Sequence, residues 1–297
     1  MRVFVTGGTG FVGSCLIRHL VEAGNEVVAL CRAGSETKLP ASENVEGVAA
    51  DLFDANEIAG RLDGCDAVIH LVGIIREFPG KGVTFQRLHV EATRAVVAAA
   101  QQAGVKRYLQ MSANGTRPGA TTPYHRTKWE AEEILRGSSL DWTIFRPSLI
   151  FGPGDQFVTM LADLIRKLPV VPVIGDGNYR MSPVLVDDVV RSFVSALQRP
   201  ETVGETYHCG GPQALSYNEV LDLIGRAMGR ERVPKLHHPL LLMKPVVAML
   251  ESIPQFPLTR TQLTMLLEGN EVDPAPWAAA FDLDPQPFLP AIENYLS

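Results

Sequence analysis

The stretch from residue 2 to residue 13, RVFVTGGTGFVG, constrains the fold more tightly than any other part of this chain. Val3 and Val5 are β-branched residues in alternation, which suits a short buried strand. Glycines follow at once, and FVGSCLIRHLVEAG then carries apolar residues at helical spacing. A strand, a glycine turn and a helix in immediate succession is the context that gives such glycines a meaning. Gly7 is expected to turn the chain sharply out of the strand. Gly10 would let a diphosphate approach the backbone at a helix N-terminus, whose free N–H groups and dipole favour an anion. Gly13 would let the helix pack closely on the sheet. The stretch predicts a dinucleotide site, against the plainer reading of an ordinary glycine turn.

The same rhythm continues downstream. Strands are expected at 26–31, 45–50, 67–71, 107–112 and 142–146, with helices at 55–62, 83–104 and 124–136 between them. This alternation predicts an α/β fold, a Rossmann-type doubly wound parallel sheet with helices on both faces and right-handed crossovers. Beyond Pro147 prolines crowd in and the alternation fails. Ser216 with Glu219, and Thr259 with Gln262, have the spacing of capping boxes and should each start a helix. We therefore expect residues 1–150 to form the dinucleotide-binding domain. Residues 151–297 should form a smaller, mostly helical lobe, with some segments returning to the main domain.

Charge and cysteine usage narrow the function. The net charge of −6, with no basic stripe, argues against a nucleic-acid partner. Cys15, Cys31, Cys65 and Cys209 are dispersed without a CxxC pair, and the seven histidines show no HExxH spacing. They read as small buried hydrophobes in a reducing compartment, and no metal site is expected. His237 and His238 read as surface or capping residues. No apolar run reaches the ~18–20 residues needed to span a bilayer, since the best, at 239–250, is broken by Lys244 and Pro245. A first strand that starts at Arg2 leads us to expect no targeting peptide and a cytoplasmic location.

Tyr124 and Lys128 form a Y-x-x-x-K pair at the start of an expected helix, which puts both on one face. An ammonium beside a phenol favours the phenolate and should lower its pKa from ~10 toward the working range. Such a tyrosine can exchange a proton with a substrate hydroxyl while hydride passes to or from a nicotinamide.

At these residues a family resemblance emerges. TGGTGFVG, Asp51-Leu52, HLVG at 70–73, YHRTK at 124–128, RPSLIFGPGD at 146–155 and PVLVDDV at 183–189 resemble an extended short-chain dehydrogenase/reductase. The match covers nearly the whole chain and lies within the NAD-dependent epimerase/dehydratase superfamily. MSANG, YHRTK, RPSLIFGPGD, CGGP and PLTRTQL look most like the atypical branch related to the 39-kDa accessory subunit of respiratory complex I. The resemblance implies cofactor contacts from Gly7, Thr9, Gly10, Phe11, Val12, Gly13, Asp51, Leu52, Leu71, Val72, Gly73, Tyr124, Lys128 and Pro147. It implies catalytic roles for Tyr124, Lys128 and Ser112. Two family positions depart from active sugar-nucleotide enzymes: the serine or threonine partner of the tyrosine falls on Ala113, with Ser112 one residue early, and a diphosphate-binding asparagine falls on Leu149. Arg180 fits an arginine that those enzymes place near substrate phosphates. The branch implies an oxidoreductase or redox-linked protein of quinone or respiratory metabolism, with a quinone or isoprenoid substrate and a peripheral membrane or respiratory-complex contact. Two alternatives stay open: a nucleotide-sugar epimerase, dehydratase or reductase using Tyr124 as acid/base, and a structural subunit that a dinucleotide only stabilises.

Residue chemistry adds several expectations. The end of the second strand reads Cys31-Arg32, with Lys38 nearby and no carboxylate before Glu36, so NADP(H) is preferred over NAD(H). Asp187 and Asp188 read as N-caps, Trp129 as a packing residue, and Arg146 as the partner of a carboxylate. The stretch 239–267 is apolar almost all round. It reads either as core of the small lobe or as a greasy surface for a quinone, a membrane or a partner.

Overall fold

The computed structural model describes residues 1–251, 253 and 258–296. The chain divides into two compact units, Met1–Pro147 with Val186–His208 and Pro276–Leu283, and Ser148–Leu185 with Cys209–Ala275 and Asp284–Ser297.

The first unit is built on β1 (Arg2–Thr6), β2 (Glu26–Cys31), β3 (Val45–Ala49), β4 (Ala67–His70), β5 (Arg107–Met111) and β6 (Asp141–Pro147). They lie in the order β3-β2-β1-β4-β5-β6, and every pairing is parallel. That is the expected doubly wound sheet. Its order reverses between β1 and β4, where such folds hold their ligand beyond the strand C-termini. Helices α1 (Phe11–Glu22), α2 (Ala55–Ala59), α3 (Ala92–Gln102) and α4 (Pro123–Arg136) supply the crossovers. Phe4, Val28, Val68, Val96, Tyr108 and Ile144 belong to one buried cluster. The helix expected at 83–104 departs from regularity at Gln86–Glu91, which is a π-turn leading into α3. Such turns insert a residue and re-aim the side chains around it.

The second unit opens with β7 (Ile150–Phe151), α5 (Phe157–Lys167), β8 (Val171–Ile174), β9 (Arg180–Met181) and β10 (Val184–Leu185). The chain then returns to the first unit for α6 (Val186–Ala196), packed along α1, and β11 (Glu205–Cys209), which lies beside β6. Next come β12 (Leu215–Ser216), α7 (Tyr217–Ala227), β13 (Lys235–His238), α8 (Leu240–Leu250) and α9 (Arg260–Glu268), followed by α10 (Ala275–Phe281) and α11 (Phe288–Leu296). Both expected capping boxes form: Ser216 with Glu219 starts α7, and Thr259 with Gln262 starts α9. His237 is exposed on β13, where its ring meets Asn218.

The core reading of the apolar stretch holds for Val247 and Leu263, which are buried, and fails along most of α8. Val247 alone of its residues is buried, whereas Leu241 is 84% and Met249 73% exposed. Residues 252 and 254–257 of the same stretch lie outside the described residues. Among the described residues no helix is long and apolar enough to cross a membrane.

Candidate functional site

The glycine turn is built by steric exclusion. Gly7 has φ +79°, and a Cβ there would meet the Leu71 carbonyl carbon and the Val72 nitrogen at 3.2 Å. A Cβ on Gly13 would stand 2.2 Å from the Gly7 oxygen and 2.7 Å from the Gly8 Cα, so no side chain fits. Gly10 is the N-cap of α1, with an extended backbone, no side-chain cap and no acidic residue in the first turn of the helix. The first N–H groups of α1 are thus uncapped donors, and this end of the helix suits a diphosphate. Thr9 is exposed there, with Phe11 and Val12 half-buried beside it.

Across the switch point, the buried ring of His70 meets the Thr6 hydroxyl at 2.6 Å and ties the ends of β1 and β4 together. Burial, then the nearby Lys128 charge, pushes His70 down to about 3, so its ring is neutral. Leu71 and Val72 follow half-buried, and Gly73 is exposed. Arg32 and Lys38 are exposed after the end of β2. Asp51 is exposed too, and its carboxylate accepts the Phe53 N–H at 3.0 Å in a local turn, with Leu52 half-buried between them. Pro147 is buried and its carbonyl accepts the Asn114 N–H at 2.8 Å.

Helix α4 begins with Pro123, and the Thr122 hydroxyl caps it by accepting the His125 N–H. Tyr124 is therefore in the first turn and Lys128 one turn on, both buried. The Tyr124 ring sits among Phe85, His89 and His125, each meeting it edge to face with centroids 5.2 to 5.7 Å apart. The Lys128 ammonium donates to the Met111 carbonyl at 3.2 Å, at the end of β5. A Cβ on Gly73 would stand 2.9 Å from its Nζ and 3.7 Å from His89 Nε2. The missing side chain at Gly73 is what admits the lysine. These contacts draw the ends of β4 and β5 and the start of α4 to one place.

The expected acidification of the phenol does not occur. Burial pushes Tyr124 up to about 12, because an anion in a dry site lacks hydration that the lysine does not replace. Burial likewise lowers Lys128 to about 8, against the opposing pull of Glu132.

Ser112 is directed elsewhere. Its hydroxyl donates to Glu132 Oε1 at 2.5 Å, two helical turns along α4 from Tyr124, a rise of ~12 Å. Arg146 grips the same carboxylate with two hydrogen bonds, and Arg136 adds a third donor at 2.7 Å. The carboxylate expected for Arg146 is thus Glu132, and Trp129 packs under both guanidinium groups. Our sequence reading missed Glu132, although Tyr124, Lys128, Glu132 and Arg136 recur every fourth residue. It also missed His89, whose ring meets the Thr127 hydroxyl at 2.9 Å and the backbone of Ile74. Nothing in the apolar pattern announces the π-turn that aims it.

In the second unit, the Arg180 side chain donates to Glu271 and to the Ala214 carbonyl, each at 2.5 Å, and Leu149 packs against that unit's core. Asp187 is a further correction. It lies inside the first turn of α6 and pairs with His19 at 3.0 Å, where N-capping was expected, and Asp188 is buried beside it.

The model of the NAD dependent epimerase/dehydratase family matches residues 3–210. The chain belongs to this family. A nicotinamide dinucleotide is accordingly its cofactor class, and the glycine turn fits one. Among relatives of this epimerase/dehydratase family member is NADH dehydrogenase (ubiquinone) 1 alpha subcomplex subunit 9, mitochondrial, of Arabidopsis thaliana. The two are 29% identical over 277 residues, covering 90% of this chain and 68% of that protein. The 3 beta-hydroxysteroid dehydrogenase/Delta 5→4-isomerase of Mycobacterium tuberculosis is 30% identical over 266 residues, covering 79% and 71%. The crystal structure of UDP-glucuronic acid 4-epimerase from Bacillus cereus, with UDP-glucuronic acid and NAD, shares the fold. It superimposes with a TM-score of 0.78 at 18% identity, over 100% of this chain and 99% of that one.

Proposed function

We propose that the chain is an NADP(H)-binding oxidoreductase of the atypical extended short-chain dehydrogenase/reductase branch, reducing an apolar carbonyl or quinone in quinone or respiratory metabolism. The observation that carries this reading is the buried Tyr124–Lys128 pair on one face of α4, at the strand ends next to the glycine turn. When bound, the reduced nicotinamide supplies a hydride. With Tyr124 pushed up to about 12, its phenol is protonated at neutral pH. The pair is thus set to donate a proton to the oxygen that gains the hydride's electrons, which is the reductive direction. Lys128, still mostly charged at pH 7, holds the nicotinamide ribose and keeps a cation beside the oxygen as charge develops. The uncapped N-terminus of α1 at Gly10 accepts the diphosphate, with Gly7 and Gly13 shaping the turn, and Arg32, with Lys38 near it, receives the 2′-phosphate.

The relatives support the class of substrate. One is named for NADH dehydrogenase (ubiquinone) and another for a steroid dehydrogenase, so both names concern a redox step on an apolar molecule. The exposed apolar face of α8 supports a peripheral contact with a membrane or a respiratory complex.

The test is a titration of NADPH and NADH followed by turnover of short-chain quinones and ketones. NADPH should bind more tightly, and Arg32→Asp should reverse the order. Tyr124→Phe should leave cofactor affinity within about twofold while lowering turnover by about a hundredfold or more, and Lys128→Ala should weaken both. Equal or tighter binding of NADH by the unmutated chain would remove the NADP(H) assignment. Ser112, held by Glu132, favours a second reading, a structural subunit that the dinucleotide only stabilises. That reading wins if the cofactor raises the melting temperature and no substrate turns over.

A further inference from the structure

Cys15 and His19 stand one turn apart on the face of α1 that meets α6, and Asp187 reaches toward them from the first turn of α6. We propose that these three residues form a binding site for a transition-metal dication of the zinc class, which ties α1 to α6 within the first unit.

Three kinds of donor converge there: a thiol sulfur, an imidazole nitrogen and a carboxylate oxygen, all within 4.8 Å of one another. His19 Nε2 is 3.0 Å from Asp187 Oδ1, and Cys15 Sγ is 4.0 Å from the same oxygen. Tetrahedral zinc with bonds of ~2.0–2.3 Å holds its ligand atoms roughly 3.3–3.7 Å apart. The first contact has to open and the second to close by only a few tenths of an ångström. Cys15 is buried, while His19 and Asp187 are partly exposed. The partial exposure of His19 and Asp187 gives an ion a way in.

The donor set also selects the ion. A thiolate and an imidazole suit zinc, cobalt or nickel and disfavour magnesium and calcium, which require oxygen donors. Thiolate and carboxylate together carry two negative charges, enough to neutralise a dication. An ion pair alone would account for His19 and Asp187. The Cys15 thiol also donates to that carboxylate oxygen at 4.0 Å, so all three side chains meet at one point. Spacing could not reveal this cluster, because 172 residues separate Cys15 from Asp187.

The experiment uses tag-free full-length protein, stripped with a chelator and titrated with Co²⁺ and then Zn²⁺. One cobalt per chain should bind with a near-ultraviolet thiolate-to-metal charge-transfer band, which Zn²⁺ then bleaches. Cys15→Ala should abolish the band, and Zn²⁺ should raise the melting temperature of the unmutated chain but not of that variant. His19→Gln, at a partly exposed position, should abolish the zinc-dependent shift independently. No band in the unmutated protein, a band that survives Cys15→Ala, or a zinc shift that survives His19→Gln overturns the proposal.

Discussion

Helices α4 and α8 invert one another. The sequence of α4, PYHRTKWEAEEILR, is half charged or polar, yet it buries Tyr124, Lys128 and Glu132 completely or nearly so. That of α8, LLLMKPVVAML, has a single charge, yet leaves Leu241, Leu242 and Met249 in solvent. Burying an ammonium costs its hydration, and exposing aliphatic surface forgoes ~25 cal/mol for each Å² that could have been covered. Each helix therefore departs from what stability alone favours, in opposite directions. Such departures are expected where a chain has another task. For α4 the proposed task is the exchange of a proton beside an anionic cofactor. For α8 the proposed task is a peripheral contact through its exposed apolar residues.

Glu132→Ala should have the largest effect. The carboxylate serves Ser112, Arg136 and Arg146, and its loss strands the mostly buried Arg146 guanidinium. Removing one partner of such a network costs about 3–5 kcal/mol, read as a fall in the midpoint of denaturant unfolding with the slope unchanged. A loss below about 1 kcal/mol would mean that α4 does not depend on its buried charges, and the contrast with α8 would collapse.

Lys128→Met should act in the opposite sense. Burial lowers the lysine from 10.5 to about 8, so between those values the unfolded chain binds more protons than the folded one. The wild type therefore gains stability as pH rises from about 8 to 10.5, and bears the full cost of the buried charge below pH 8. The variant should be more stable at pH 7 by on the order of 3 kcal/mol, with the gain fading toward pH 10.5, and should bind the dinucleotide more weakly. Melting curves across this range, without cofactor, would show it. A variant less stable at pH 7 would mean that the Met111 hydrogen bond outweighs the desolvation.

The smallest effect on stability belongs to α8. Leu241→Glu and Met249→Glu should each change folding free energy by no more than about 0.5 kcal/mol, while weakening binding to lipid vesicles or to a long-chain quinone. If they unfold the protein instead, the helix is core after all and the comparison with α4 fails.

Much of the candidate site was legible in the sequence. The three glycines, the Tyr124–Lys128 spacing and both capping boxes depend on residues within about one turn of each other, and they appear where expected. Arg146 called for a carboxylate and found one. Which carboxylate was not readable, since Glu132 is 14 residues away on another element. Ser112 and Ala113 show the limit clearly. Their identities are plain in the sequence, but only the continuation of the β5–β6 ladder through the Ser112 N–H and the Phe145 carbonyl settles which way the serine faces.

What the sequence by itself determined is therefore local: a strand, turn and helix for a dinucleotide, an alternating α/β sheet, and a tyrosine and lysine on one helical face. Backbone geometry and side-chain periodicity encode these over a few residues, so neighbours in the chain suffice. Tertiary structure decided the rest. It brought Cys15 and His19 against Asp187, seated His89 on the Tyr124 ring, and turned Ser112 toward Glu132. It also reversed the expected shift of the Tyr124 phenol and left α8 uncovered. Desolvation and long-range contact are properties of the packed chain, and spacing along a sequence carries neither.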